Sequence, residues 1–150
     1  MLDKAPTWGD IKWLRDQTSL PLMIKGVIDP RDAEKAISLG ADGIVVSNHG
    51  GRQLDGAPSS ISMLQPIVEA VGDKIEVHMD GGVRSGQDVL RAVALGARGT
   101  LIGRAFLYAL GAMGERGVQR CLEIIARELD ISMAFCGRTD IHDVDRSILL

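Results

Sequence analysis

Asp32–Val46 reads DAEKAISLGADGIVV, and Asp88–Ile102 reads DVLRAVALGARGTLI. Each begins with an Asp-led stretch of helical spacing, passes through Leu-Gly-Ala-x-Gly, and ends in an apolar run short enough for a strand. Together they form an internal repeat of one helix–strand unit. Further apolar runs lie at 21–26 and 75–79. The four runs alternate with helical stretches of about ten to fifteen residues, which is the pattern of parallel βα units. The chain is therefore α/β. Four units make half of a (β/α)₈ barrel, which typically takes about 250 residues. An open four-stranded sheet satisfies the same pattern.

The 150 residues suffice for one domain with one core. Hydrophobic residues make up 45% and charged residues 25%, the balance of a soluble globular chain. A net charge of −3 gives no basic footprint, so no nucleic-acid partner is expected. No apolar run approaches a membrane span, and Met1-Leu2-Asp3-Lys4 carries no charged-then-apolar leader pattern. Cys121 and Cys136 read as core thiols of a cytosolic protein. No His/Cys spacing suits a metal, so none is expected. There is no G-x-G-x-x-G fingerprint, no P-loop and no serine-centred nucleophile elbow.

Local signals place the helices. Thr7, with Asp10 three residues on, caps a helix running to about Gln17, with Ile11 and Leu14 facing inward beside Trp8. Asp29-Pro30 is an N-cap followed by proline at the first helical position; that helix carries Ala33, Ala36 and Ile37 and stops at Gly40. A helix over 62–71 has Ser62 and Gln65 as a capping box, which puts Pro66 in the first turn. Ser85 with Asp88 caps the next helix, whose stripe is Val89, Leu90 and Val93. A helix over 106–110 precedes a long amphipathic one over 115–133, with Val118, Cys121, Leu122, Ile125 and Leu129 on one stripe. The tail is polar with a small apolar end.

Chemistry-bearing residues collect where strands end, as they do in barrels and open α/β sheets. Lys25 ends the first run, where a lysine has little structural use and could neutralise negative charge on a cofactor ring. Ser47-Asn48-His49-Gly50-Gly51-Arg52 follows the second, setting a base candidate beside an anion anchor in a glycine loop. Asp80-Gly81-Gly82-Val83-Arg84 and Gly103-Arg104 end the third and fourth runs, and each precedes a helix. Backbone N–H groups at helix starts, with an arginine, suit a phosphate. His78 reads as structural and His142 as solvated.

These motifs, with Pro21-Leu-Met-Ile-Lys-Gly26 and Leu101-Ile-Gly-Arg-Ala-Phe-Leu-Tyr108, resemble the FMN-dependent α-hydroxy-acid dehydrogenase/oxidase family. The resemblance covers nearly the whole chain and implies the C-terminal half of a (β/α)₈ barrel, strands five to eight over 1–112, plus a C-terminal helix and tail over 113–150. It implies FMN as cofactor, with Lys25 at the flavin N1/O2 edge, Ser47 touching the flavin, and Asp80, Gly81, Gly82, Val83, Arg84, Gly103 and Arg104 on the ribityl chain and phosphate. His49 would take the substrate proton and Arg52 would hold the carboxylate of a small, lactate-like L-2-hydroxy acid, which becomes the 2-oxo acid. The electron acceptor stays open among oxygen, quinone and cytochrome. The family's other half supplies the substrate tyrosines and the aspartate that orients the histidine. The expectation is thus a fragment that gains activity by pairing with a complementary half-barrel or with itself, in a cytoplasmic setting or peripherally at the inner membrane. A non-catalytic FMN- or phosphate-binding remnant is the alternative. An FMN-barrel isomerase fits less well, since His49-Gly-Gly-Arg52 offers no diphosphate site.

Overall fold

Four parallel strands lie side by side in chain order, β1-β2-β3-β4, in a computed structural model that describes residues 5–149. The segment Met1–Lys4, read above for a leader pattern, lies outside the described residues. The strands are β1 (Met23–Val27), β2 (Gly43–Val46), β3 (Glu76–Met79) and β4 (Gly99–Thr100). The helices are α1 (Trp8–Gln17), α2 (Pro30–Ser38), α3 (Ser60–Val71), α4 (Gly86–Ala94), α5 (Arg104–Met113) and α6 (Glu115–Phe135). The tail makes two 3₁₀ turns, Ile141–Asp143 and Arg146–Ile148.

Register aligns Ile24, Ile44 and Val77 across the sheet. These residues and Val27, Val46 and Met79 pack in one core with Ala33 and Ala36 of α2, Leu64, Ile67 and Val71 of α3, and Ala92 of α4. The opposite face carries the row Lys25, Val45, His78 and Gly99. Only Val45 in that row is a fully buried hydrophobic side chain, so the second face is no core within the described residues. His78 fits the structural reading. Its ring lies against Gly99, and its Nε2 is 3.1 Å from Glu76 Oε2.

A second core joins Leu90 and Ala94 of α4, Met133 of α6 and Val144 of the tail, with Ile141, Ile148 and Leu149 packed against it. The tail thus has a packing role that its polar composition conceals. Gly86 makes the α4–α6 contact possible. A Cβ there would fall 2.0 Å from the Leu129 backbone nitrogen, and the Gly86 N–H donates to Glu128 Oε2 at 3.0 Å.

Capping at Thr7–Asp10, Asp29–Pro30 and Ser85–Asp88 matches the sequence signals. Several expectations are corrected. Helix α1 buries no residue: Leu14 is 39% and Trp8 36% exposed. It is tied down by Arg15, which donates to Asp42 Oδ2 at 2.8 Å and to the Leu20 carbonyl at 2.8 Å. Strand β1 is an edge strand with Met23 46% exposed, where a buried strand was expected. The N-cap of α3 is Ser59, whose side chain accepts from the Ser62 N–H, so no Ser62–Gln65 box forms. Pro66 falls inside that helix on its exposed side, where water can satisfy the carbonyl that proline leaves unpaired. Leu122 is 52% exposed, and Cys136 is an exposed thiol at the end of α6. His142 is exposed, as expected, with its Nδ1 3.4 Å from Arg98.

Candidate active site

The C-terminal ends of all four strands open into one cavity of about 750 Å³. Lys25, His49, Arg52, Asp80, Gly81, Gly82, Val83, Arg84, Gly103 and Arg104 line it. Ser47 does not. It is 1% exposed and sits beneath the cavity. Its Oγ accepts from Lys25 Nζ at 2.9 Å and from the His49 N–H at 3.1 Å. The role Ser47 takes within this chain is to couple the lysine to the histidine loop.

Lys25 also pairs with Asp80, Nζ to Oδ2, at 2.7 Å. The Lys25 side chain is 42% exposed and that of Asp80 only 18%. A lysine on an otherwise apolar edge strand is thereby held in place by residues just past the ends of β2 and β3. The other carboxylate oxygen, Asp80 Oδ1, is buried with no hydrogen-bond partner. An unpartnered buried acceptor is costly and waits for a donor.

The histidine loop is left-handed at three consecutive residues: φ is 55° at His49, 69° at Gly50 and 73° at Gly51. Among the described residues His49 is the one non-glycine with positive φ. Such strain is characteristic of functional loops. Asn48 steadies the turn, its Oδ1 accepting from the Gly50 N–H at 3.0 Å. Among the described residues no side chain hydrogen-bonds to the His49 ring and no carboxylate pairs with it. Arg52 is exposed at the cavity rim, with its guanidinium uncommitted among those residues.

The two helix starts differ in a way that sequence could not show. At α4 the donors are already engaged. The Arg84 and Ser85 N–H groups go to Asp88 Oδ2, that of Gly86 to Glu128, and that of Asp88 to Ser85 Oγ. At α5 the N-cap is Gly103, and no side chain caps the helix. Open space surrounds Gly82 and Gly103 where a Cβ would be. An anion at this end would therefore meet the α5 amides, with Arg84 and Arg104 as side-chain partners. Glu128 and the Asp80–Lys25 link escaped the sequence reading because they join residues far apart in the chain.

No group of three or more His, Cys, Asp or Glu among the described residues could hold a metal. No helix among them is long and apolar enough to cross a membrane.

Comparison with known proteins gives consistent matches. The family described as FMN-dependent dehydrogenase matches residues 1–150. L-lactate dehydrogenase of Caulobacter sp. (strain K31) is 56% identical over 147 residues, 98% of this chain and 39% of that protein. 2-Hydroxyacid oxidase 1 of Mus musculus is 48% identical over 148 residues, 99% of this chain and 40% of that protein. A solved mandelate oxidase variant with a monooxide FMN adduct superposes with a TM-score of 0.92 at 46% identity, covering 97% of this chain and 46% of that one. The chain spans about 40% of the length of the curated relatives it matches.

Proposed function

The chain belongs to the FMN-dependent dehydrogenase family over its full length, and we propose that it forms strands five to eight of a (β/α)₈ barrel that oxidises a small L-2-hydroxy acid to the 2-oxo acid. Residues 1–112 would be the half-barrel and 113–150 the closing helix and tail. The observation that carries this reading is convergence. One cavity at the ends of four adjacent strands brings together an unpartnered imidazole, an uncommitted guanidinium, a lysine and an anion-binding helix start.

The cavity fits FMN. Asp80 Oδ1 is a buried acceptor suited to a hydroxyl of the ribityl chain. Gly82 and Gly103 leave room for close approach, and Arg84, Arg104 and the α5 amides would hold the phosphate. When bound, FMN supplies the two-electron acceptor for the reaction. Lys25 brings positive charge that Asp80 and Ser47 hold in place. Arg52 offers a two-pronged donor for the substrate carboxylate, which orients the hydroxyl-bearing carbon. His49 receives the substrate proton at its imidazole. An acid that stabilises the resulting imidazolium would come from the complementary half-barrel, or from a second copy of the chain, because none reaches the ring here. A cytoplasmic setting, with or without peripheral contact at a membrane, belongs to the same proposal.

The test titrates FMN and riboflavin into the purified chain. It then measures dye reduction with lactate, glycolate and mandelate, with and without a separately expressed N-terminal half from a relative. FMN binding with turnover restored by that half is the expected outcome. The bare His49 ring favours one second reading, an FMN-binding remnant. Tight FMN binding without turnover, even beside the complementary half, would establish the remnant instead.

A further inference from the structure

We propose that Gly26 is a positioning residue for His49, and that the bulge in β1 leaves the imidazole a bare stretch of main chain to lie against. Strand β1 pairs with β2 in step from Met23 to Lys25, but the next partner of Val46 is Val27, so Gly26 is an extra residue. The extra residue breaks the alternation of the strand. Ile24 and Val27 both reach the helix-side core although they are three apart. Lys25 and Gly26 are left together toward the cavity side. Lys25 extends to Ser47 and Asp80, while Gly26, at φ 101°, meets the histidine.

That contact is close. A Cβ built on Gly26 would lie 2.6 Å from His49 Nε2, 3.4 Å from Cε1 and 3.7 Å from Cδ2. The outer edge of the ring therefore faces the α-carbon of Gly26. Since no hydrogen bond from the described residues orients the ring, its position among them depends on this wall and on its own backbone. The backbone is set from the same strand, because the His49 N–H donates to Ser47 Oγ, which in turn accepts from Lys25. Any side chain at position 26 would push the ring away from β1, and the proton-accepting nitrogen with it.

The proposal rests on the catalytic reading of His49, but its test needs neither flavin nor substrate. Failure of the FMN titration and failure here are therefore distinguishable. Imidazole ¹H–¹⁵N spectra of the 150-residue chain contain three histidines, His49, His78 and His142, and H49A assigns the relevant signals. G26A is expected to shift the ring signals of His49 and leave those of His78 and His142 in place. Gly40→Ala serves as the control. It also strains a left-handed glycine, at φ 84°, but meets Arg15 instead of His49, and it should leave the His49 signals unmoved. Unshifted His49 signals in folded G26A overturn the proposal. If G26A does not fold, its unfolding is compared in the H49A background. Recovery of folding without the ring supports the proposal. Where neither background folds, the strain at φ 101° accounts for it and the parent chain decides: a nuclear Overhauser contact between the His49 ring and the Gly26 α-protons supports the proposal, and its absence overturns it.

Discussion

His49 is chemically legible in sequence but not conformationally so. A histidine beside Gly-Gly-Arg at a strand end announces a base and an anion anchor. The sequence does not say that the histidine itself is left-handed, at φ 55°. Left-handed backbone costs an L-residue roughly 1–2 kcal/mol, a cost that glycine escapes. We therefore predict that H49G is more stable than H49A by about 1 kcal/mol in urea unfolding, although both remove the imidazole. An H49A chain more stable than H49G by about 0.4–1 kcal/mol, the gain alanine shows at an unstrained position, would mean that the loop carries no strain. Arg104 gives a second prediction at this scale. Charge-assisted hydrogen bonds are worth about 1.5–3 kcal/mol, so R104Q should weaken FMN binding roughly 10- to 100-fold. Riboflavin, which lacks the phosphate, should bind R104Q and the parent chain alike. The sequence named Arg84 and Arg104 as equivalent anchors. The structure separates their helices, because Asp88, Ser85 and Glu128 already occupy the start of α4 while that of α5 is uncapped.

Among the elements, helix caps encoded within four residues were readable in three cases, while the Ser62–Gln65 box gave way to a Ser59 cap. Thr7–Asp10, Asp29–Pro30 and Ser85–Asp88 all form as their spacing dictates. Packing faces were less readable. Helix α1 buries neither Ile11 nor Leu14, which its spacing had turned inward, and Arg15 and Asp42 anchor it with polar contacts. The cap of α2 has a measurable pH signature. The Asp29 carboxylate accepts from the Arg31 side chain and then from the Arg31 backbone N–H, and these bonds lower its pKa to about 2 from an ordinary 3.8. A lowered carboxylate pKa adds stability above the unfolded value, and that contribution is lost as pH falls through the folded value. D29N keeps a competent cap without the titration. The stability difference between the parent chain and D29N should therefore shrink as pH drops from about 4 to about 2. A difference that stays constant over that range would mean that the Asp29–Arg31 bonds do not form in solution.

For the whole molecule, βα alternation and the internal repeat made the parallel sheet legible, and the observed order β1-β2-β3-β4 agrees. Spacing alone could not distinguish a finished open sheet from part of a barrel. The polar second face of the sheet favours the barrel, since Lys25 and His78 sit where an open α/β sheet would need a second helix layer. Exposed apolar side chains flank both edges. Leu20, at 70%, and Met23 lie by β1, while Leu101, Leu107, at 52%, and Met113 lie by β4 and α5. We predict that the isolated chain sediments as species heavier than its 16.1 kDa mass, in proportion to concentration, and that a complementary half-barrel converts it to a one-to-one complex. A single 16.1 kDa species at every concentration would oppose this.

The order of the strands also constrains the symmetry of any self-assembly. With β1 at one border and β4 at the other, all running the same way, the two borders are unlike, and each can seat the opposite border of another copy. Contacts of that head-to-tail kind admit two outcomes: a closed ring, or a filament that leaves a bare β1 border at one end and a bare β4 border at the other. In the half-barrel proposed above, curvature would select the ring, since two copies would supply eight strands around one axis. Flattening the sheet would select the filament. Under that proposal, the bend of the sheet would govern whether self-assembly stops at a finite dimer or runs on as a polymer.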